Sequence, residues 1–208
     1  MSTVTNLKEI PLPGLKAHKL LAPPNRIKLM KTIDYNKIKS KKAAVLICIY
    51  PNAVGQANFV LIERNVYPGV HSGQISFPGG KPEPHDLDLW ATALREANEE
   101  VGIPSSQVQQ LKTMSKIFIP PSNFTVTPFL SYCHSQPPLI PDLSEVSSII
   151  EFPLGELLTA EVSMENCVIS GKNLSKVPAY VYDQKIVWGA TAMILSELKK
   201  LILNGLNK

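Results

Sequence analysis

Residues 43–50 (AAVLICIY) form an uninterrupted apolar run of strand length. The absence of polar alternation predicts a strand covered on both faces of a sheet. A second strand is predicted at residues 59–63, after Pro51, Asn52 and Gly55, and a third at 74–77, after a loop at 64–72. The period then becomes helical: Leu87, Trp90, Ala91, Leu94, Ala97 and Val101 share one face of a helix predicted over 86–102, ended by Gly102 with Pro104 just beyond. Strands follow at 108–117 and 124–133, linked by a segment containing Pro120, Pro121 and Asn123. After the proline-rich loop 136–142 come a strand at 145–152 and a short helix at 154–158. A hairpin-rich segment then spans strands at 164–169, 177–182 and 185–188, and an amphipathic helix over 190–203 leaves Gly205 past its end.

Residues 1–40 read as an extension with helical pieces, interrupted by Pro11, Pro13, Pro23 and Pro24. The strands are not separated by the regular helices that a βαβ array needs. The pattern therefore predicts an α/β fold, an α/β/α sandwich around a mixed sheet. The organisation expected is a basic extension, 1–40, packing on a domain that spans 41–208.

The polar face of the 86–102 helix carries the chemistry. Glu96, Glu99 and Glu100 lie at i, i+3 and i+4, so their carboxylates project together. A run of glutamates is ordinarily a solvated surface. Here the like charges of Glu96 and Glu100 oppose each other by a few tenths of a kcal/mol, with no lysine one turn away. A divalent cation would remove that repulsion, and hard oxygen donors suit magnesium or manganese. Phe77-Pro78-Gly79-Gly80 places a permissive backbone just ahead of the helix, where a carbonyl or amide can approach a metal or a phosphate.

Residues 79–103 (GGKPEPHDLDLWATALREANEEVGI) resemble the Nudix box, G-x5-E-x7-R-E-U-x-E-E-x-G-U. Gly80, the Arg95-Glu96 and Glu99-Glu100 pairs and Gly102-Ile103 match. One extra residue separates Gly80 from Arg95, Asp86 stands for the early glutamate or is the helix N-cap, and Ala97 takes the aliphatic position. The resemblance implies the Nudix α/β/α fold and Mg2+- or Mn2+-dependent hydrolysis of a nucleoside diphosphate linked to another group. By its pattern Glu96, Glu99 and Glu100 are metal ligands, joined by the backbone of Gly79, and Arg95 pairs with Glu99.

A narrower resemblance, to the coenzyme A pyrophosphatase branch, precedes the box. Its frame L-L-T-x-R-[SA]-x3-R-x3-G-x3-F-P-G-G is kept through Leu61, Arg64, Gly73 and residues 77–80, while Gly69 replaces the second arginine and removes a bidentate phosphate contact. Residues 71–77 and 187–192 are similar to the same branch. This implies coenzyme A or its derivatives as substrate, split to 3′,5′-ADP and 4′-phosphopantetheine. The alternatives are ADP-ribose, dinucleotides or nucleoside triphosphates and, in another class, a non-catalytic nucleotide-binding Nudix module. Three mutually repelling carboxylates argue against the last.

The general base is Glu100 or, from the loop after the prolines, Glu145, with Asp142 a further alternative or a turn residue. Arg64 and Lys81 flank the glycine turn as phosphate contacts or as solvated charges. His71 is a phosphate donor or a structural loop histidine, and Trp188 and Tyr182 read as core residues.

Charge and composition refine this picture at the ends. Up to Lys42, ten Lys plus Arg stand against Glu9 and Asp34, a balance of +8 that leaves −4 for the remainder of a chain totalling +4. Such an arm faces an anionic substrate, a nucleic acid or a partner subunit, or is solvated, and no aromatic-rich nucleic-acid motif accompanies it. No run approaches the roughly 20 apolar residues of a membrane span, and residues 1–10 lack a secretory signal. Cys48, Cys133 and Cys167 read as buried thiols in a reducing cytoplasm. A homodimer is implied by resemblance only.

Overall fold

The computed structural model describes residues 6–66, 68, 71–170 and 173–207. The chain opens with helices α1 (Leu15–Leu21) and α2 (Ile27–Thr32). Strands β1 (Lys41–Pro51), β2 (Ala57–Arg64), β3 (Ile75–Ser76) and β4 (Gly79–Gly80) lead to helix α3 (Leu89–Val101). Next come β5 (Gln109–Thr113), β6 (Ile117–Ile119), β7 (Phe124–Tyr132), β8 (Val146–Pro153) and helix α4 (Leu154–Thr159). Strands β9 (Ser163–Ser170), β10 (Asn173–Tyr182) and β11 (Lys185–Trp188) form a separate antiparallel sheet, and helix α5 (Gly189–Leu206) closes the chain.

The apolar run in β1 explains the layering. Successive strand side chains point to opposite faces. Leu46, Cys48 and Tyr50 join Val60 and Ile62 of β2 against Ala93, Ala97 and Val101 of α3. Ile47 and Ile49 join Phe59 and Leu61 against Met193, Leu198 and Leu201 of α5. The sheet is mixed, with β1 parallel to β7 and antiparallel to β2, and helices cover both faces. This is the α/β/α sandwich expected from the pattern.

The register opens a gap in this sheet. β1 and β2 pair at Ile49↔Phe59 through Pro51↔Ala57. Nearer its start, β1 pairs instead with the glycine strand, through Ala44↔Gly80 and Val45↔Gly79, while β2 pairs with β3 and β8. The glycine pair, expected as a turn, is thus a short strand. A Cβ on Gly79 would lie 2.2 Å from the Ala44 carbonyl oxygen, and its φ of 152° belongs to the range that favours glycine.

Several expected boundaries shift, each for a local reason. Helix α3 starts at Leu89, because Asp88 caps it by accepting from the Ala91 amide at 2.8 Å. Asp86 is occupied elsewhere, and Leu87 is 97% exposed rather than on the apolar face. The strand expected over 108–117 is two strands, interrupted where the Ser115 amide and hydroxyl both turn to Glu197 of α5. Helix α5 runs through Gly205, where a Cβ would meet Leu7 at 3.0 Å.

Nor is α5 a half-exposed amphipathic helix: residues 191–198 are buried without interruption. The N-terminal segment covers its outer side. Leu7, Ile10, Ala17 and Leu21 are buried in the same core, and the Ser196 hydroxyl donates to the Ala17 carbonyl at 2.9 Å. Glu197, fully buried, accepts from the Gly14 amide at 2.9 Å and contacts His18 Nε2 at 3.1 Å. Burial alone would raise its pKa, but the hydrogen bonds from His18, Ser115 and Gly14 hold it below the ordinary glutamate value. Cys48, Cys133 and Cys167 are buried and free, with the Cys48 and Cys133 sulfurs 3.4 Å apart.

Two stability tests follow from these contacts. Gly79→Ala is expected to cost at least ~2 kcal/mol from strain and the Ala44 clash, whereas Gly155→Ala, with open space around it, is expected to be neutral or stabilising by about 0.5–1 kcal/mol; denaturant midpoints decide. Glu197→Gln removes a carboxylate satisfied by buried donors and is expected to cost on the order of 3 kcal/mol at pH 7. Because the native pKa of Glu197 is depressed, its contribution is present above the unfolded value of about 4.3 and is lost as pH falls through the native value. Wild-type denaturant midpoints should therefore fall more steeply below about pH 5 than those of Glu197→Gln, and parallel pH profiles would exclude this carboxylate as the source.

Candidate active site

The site is assembled by one arginine. Arg95 lies midway along α3 and reaches back over the loop that joins the glycine strand to the helix. Its Nε donates to Asp86 Oδ1 at 3.1 Å, and its Nη2 donates to Asp86 Oδ2 at 3.0 Å, to the Lys81 carbonyl at 2.9 Å and to Glu96 Oε1 at 3.1 Å. Its Nη1 donates to Glu99 Oε2 at 2.7 Å. The guanidinium holds Asp86 well below the usual carboxylate range. Asp86 is therefore neither the helix cap nor one of the projecting acids, but the anchor of the arginine.

The three glutamates differ sharply in environment: the side chains of Glu100, Glu96 and Glu99 are 3%, 15% and 56% exposed. Glu100 turns under the glycine strand, accepting from the Gly79 amide at 2.8 Å and from Arg64 Nη1 at 3.3 Å. Burial pushes its pKa up to about 7, against the pull of Gly79 and Arg64 and with reinforcement from the charges of Glu96 and Glu145. Burial also raises Glu96, with Glu99 and Glu145 adding to the shift while Arg95 opposes it. Gly80 lies against the Glu96 carboxylate so closely that a Cβ there would fall within 2.4 Å of an oxygen. Helix α3 is thus rotated relative to the expected face, and the buried side includes Glu100 itself.

Among the described residues, no three His, Cys, Asp or Glu side chains form a ready-made metal cluster, because Glu99 is turned onto Arg95 and Glu100 onto Gly79. The donor chemistry nevertheless fits a hard divalent cation. The charge of Glu96 adds to the raised proton affinity of Glu100, and the charge of Glu99 adds to that of Glu96, a repulsion that such a cation would relieve. The Gly79 amide is committed to Glu100, so its carbonyl is the donor it can offer.

A cleft of about 830 Å³ opens in front of the glycine strand and is lined by Arg64, His71, Gly79, Gly80 and Lys81. All three expected substrate contacts, Arg64, His71 and Lys81, therefore line the same cleft. The His71 ring Nδ1 lies 2.9 Å from Gln74 Oε1, and His71 adopts a positive φ of 73°. Lys81 Nζ lies 5.8 Å from the Phe124 ring centroid. Gly69 falls outside the described residues.

Glu145 is exposed on the turn before β8, with its carbonyl accepting from the Asn65 amide at 3.0 Å. Its charge is felt by both Glu96 and Glu100. Asp142 spends its carboxylate on the Ser144 amide and hydroxyl at 2.9 and 2.7 Å, and is a turn residue. Tyr182 stacks on Phe152 at 4.3 Å as expected of a core residue, whereas Trp188 lines the cleft. Arg26 and Phe124, unassigned from sequence, also line it. Arg26 had only its place in the basic proline-rich segment as a signal, and Phe124 had none.

Comparisons with known proteins identify the family to which this fold belongs. The model of the NUDIX domain matches residues 40–167. An uncharacterized Nudix hydrolase NudL from Photorhabdus laumondii is 33% identical over 163 residues, covering 78% of this chain and 86% of that protein. A protein of the same name from Salmonella heidelberg is 33% identical over 175 residues, covering 84% and 90%. Among solved structures, a MutT/nudix family protein from Enterococcus faecalis superposes with a TM-score of 0.51 at 16% identity, over 87% of this chain and 73% of that one. With a family match over more than half its length and relatives aligned across most of it, the chain belongs to the Nudix family of hydrolases.

Proposed function

We propose that this Nudix hydrolase cleaves the diphosphate of coenzyme A or its derivatives, releasing 3′,5′-ADP and 4′-phosphopantetheine. The observation that carries the reading is the carboxylate ladder of α3, gathered by Arg95 and touching the glycine strand that lines the cleft. The coenzyme A assignment is supported by the two segments that carry the narrower resemblance. His71, Gln74 and Phe77 from one, and Trp188, Ala190 and Thr191 from the other, line the same cleft.

In this reading Glu96, Glu99 and Glu100, with the Gly79 carbonyl, hold Mg2+ or Mn2+. When bound, such an ion neutralises phosphate oxygens and acidifies water. Arg64 and Lys81 grip the diphosphate oxygens, and His71 donates to one of them. A water oxygen bonds to one phosphorus as the bond from that phosphorus to the bridging oxygen breaks, giving two phosphomonoesters. Glu145 takes the water proton as general base, because it is exposed and electrostatically coupled to the ladder. Glu100 is buried and engaged by Gly79, which suits it to holding the cation rather than to exchanging protons with solvent. Arg95 orients Glu96 and Glu99 without touching substrate.

Among the described residues no helix is long and apolar enough to cross a membrane. The three buried free thiols favour a reducing cytoplasm as the setting, and a homodimer as the active form is the corresponding expectation for sizing measurements.

A panel of coenzyme A, ADP-ribose, a diadenosine polyphosphate and a nucleoside triphosphate, each with magnesium, manganese or chelator, tests the substrate. Coenzyme A turnover that chelator abolishes is expected; ADP-ribose turnover with coenzyme A untouched would overturn the assignment. Glu99→Gln is expected to lower turnover by at least about 100-fold, ~3 kcal/mol of barrier. Because Glu99 is exposed, its melting temperature should stay within about 2 °C of wild type, since surface changes usually act within ±0.5 kcal/mol. Near-normal turnover by folded Glu99→Gln would remove Glu99 from the ligand set.

A further inference from the structure

Arg26 is a charge on the cleft wall that neither the carboxylate ladder nor the glycine strand uses. It ends the short turn Pro24–Arg26, directly before α2. Its Nη2 donates to the Phe118 carbonyl of β6, while its Nε is buried without a hydrogen-bond partner. Among the described residues no carboxylate pairs with it. Arg64 and Arg95, by contrast, are each paired, with Glu100 at 3.3 Å and Glu99 at 2.7 Å. Burial lowers the pKa of Arg26, with Tyr35 opposing, so the charge is kept at a cost.

Anchoring the N-terminal segment to β6 accounts for one donor of the five in the fork. A neutral donor would serve as well, without the desolvation. The remaining donors and the charge are unexplained by contacts within the chain.

The strand register shows where this charge stands relative to the site. Phe118 pairs with Thr125 of β7, Thr125 with Lys42 of β1, and β1 with the glycine strand through Ala44↔Gly80. Phe118 and Gly80 are therefore three strand spacings apart, on the order of 14 Å. Phe124 lies between them, paired with Ile119 on one side and Lys41 on the other, and presents an aromatic ring to the same cleft. A nucleotide with its diphosphate at the glycine strand and its nucleoside over Phe124 would bring the far side of its ribose toward Arg26.

We infer that Arg26 recognises a second anionic group of the substrate, a phosphomonoester carried on the ribose and set apart from the diphosphate that is cleaved. The planar fork matches phosphate oxygens in a bidentate way, and the phosphate supplies the counter-ion that the fold withholds. The inference rests on the coenzyme A reading and assigns Arg26 as the residue that selects for the 3′-phosphate of that substrate.

Binding of 3′,5′-ADP and of 5′-AMP to the full chain, measured by titration calorimetry without metal, tests it apart from turnover. The wild type is expected to bind 3′,5′-ADP at least about tenfold more tightly than 5′-AMP, a difference that one charge-assisted contact of about 1.5 kcal/mol supplies. Arg26→Gln should erase the preference while leaving 5′-AMP binding unchanged. An undiminished preference in folded Arg26→Gln, or none in the wild type, would overturn the assignment. Should Arg26→Gln fail to fold, Arg26→Lys carries the test. It retains a donor for Phe118 but not the fork, and the preference should fall below about threefold; a preference equal to wild type overturns it. A preference present while coenzyme A remains uncleaved would refute the reaction and keep Arg26. Cleavage of coenzyme A with equal binding of both nucleotides would refute Arg26 alone.

Discussion

Arg95 is the constraint on which the site depends. An isolated exposed pair such as Arg95 with Glu99 is worth less than about 1 kcal/mol, too little to fix a carboxylate. The same guanidinium also holds Asp86 through two donors and the Lys81 carbonyl through another. Each contact therefore inherits a side chain already immobilised by the others. The loop from the glycine strand to the helix, the start of α3 and two of its glutamates are fixed by one planar group. Lysine, with a single compact charge, has no equivalent geometry. The extra residue between Gly80 and Arg95 is absorbed in this loop, where Asp86 turns back to the arginine and Asp88 starts the helix.

The glycine strand links this cluster to the core. It occupies the gap left where β2 parts from β1, and its backbone touches β1 too closely for any side chain at Gly79. From that position the Gly79 amide meets Glu100, whose depth is set by the packing of Ala93, Ala97 and Val101 against β1. Sheet register and carboxylate position are thus one variable: a shift of α3 along β1 would leave a buried glutamate without its donors, at a cost of several kcal/mol.

Local signals carried much of this to the sequence reader. The two-sided apolar run of β1 reports a strand covered on both faces, whereas the i, i+3, i+4 spacing of Glu96, Glu99 and Glu100 reports one helix but not how burial of Glu100 and the turn of Glu99 onto Arg95 divide the three. What sequence could not show was decided by distant partners. Asp88 rather than Asp86 caps α3 because Arg95, nine residues from Asp86, claims the other aspartate. The break between β5 and β6 depends on Glu197, 82 residues from Ser115. The face of α5 read as solvent-facing, which includes Ser196 and Glu197, is buried because α1 lies on it, and nothing within α5 announces that cover. Arg26 and Phe124 join the cleft only through the pairing of β6, β7 and β1.

The N-terminal segment binds these levels together. Leu7, Ile10 and Leu21 extend the hydrophobic core, and the donors around Glu197 fix the segment to α5. The same stretch then delivers Arg26 and Leu29 to the cleft. Its net positive charge therefore has two uses that composition cannot separate. The exposed lysines contribute a long-range field that salt screens over about 10 Å. Arg26, held at the wall and partly desolvated, acts at contact range where screening is weak. This part of the cleft wall is thus built by a segment outside the family signature, and one signature can serve different substrates when the segments packed against it differ.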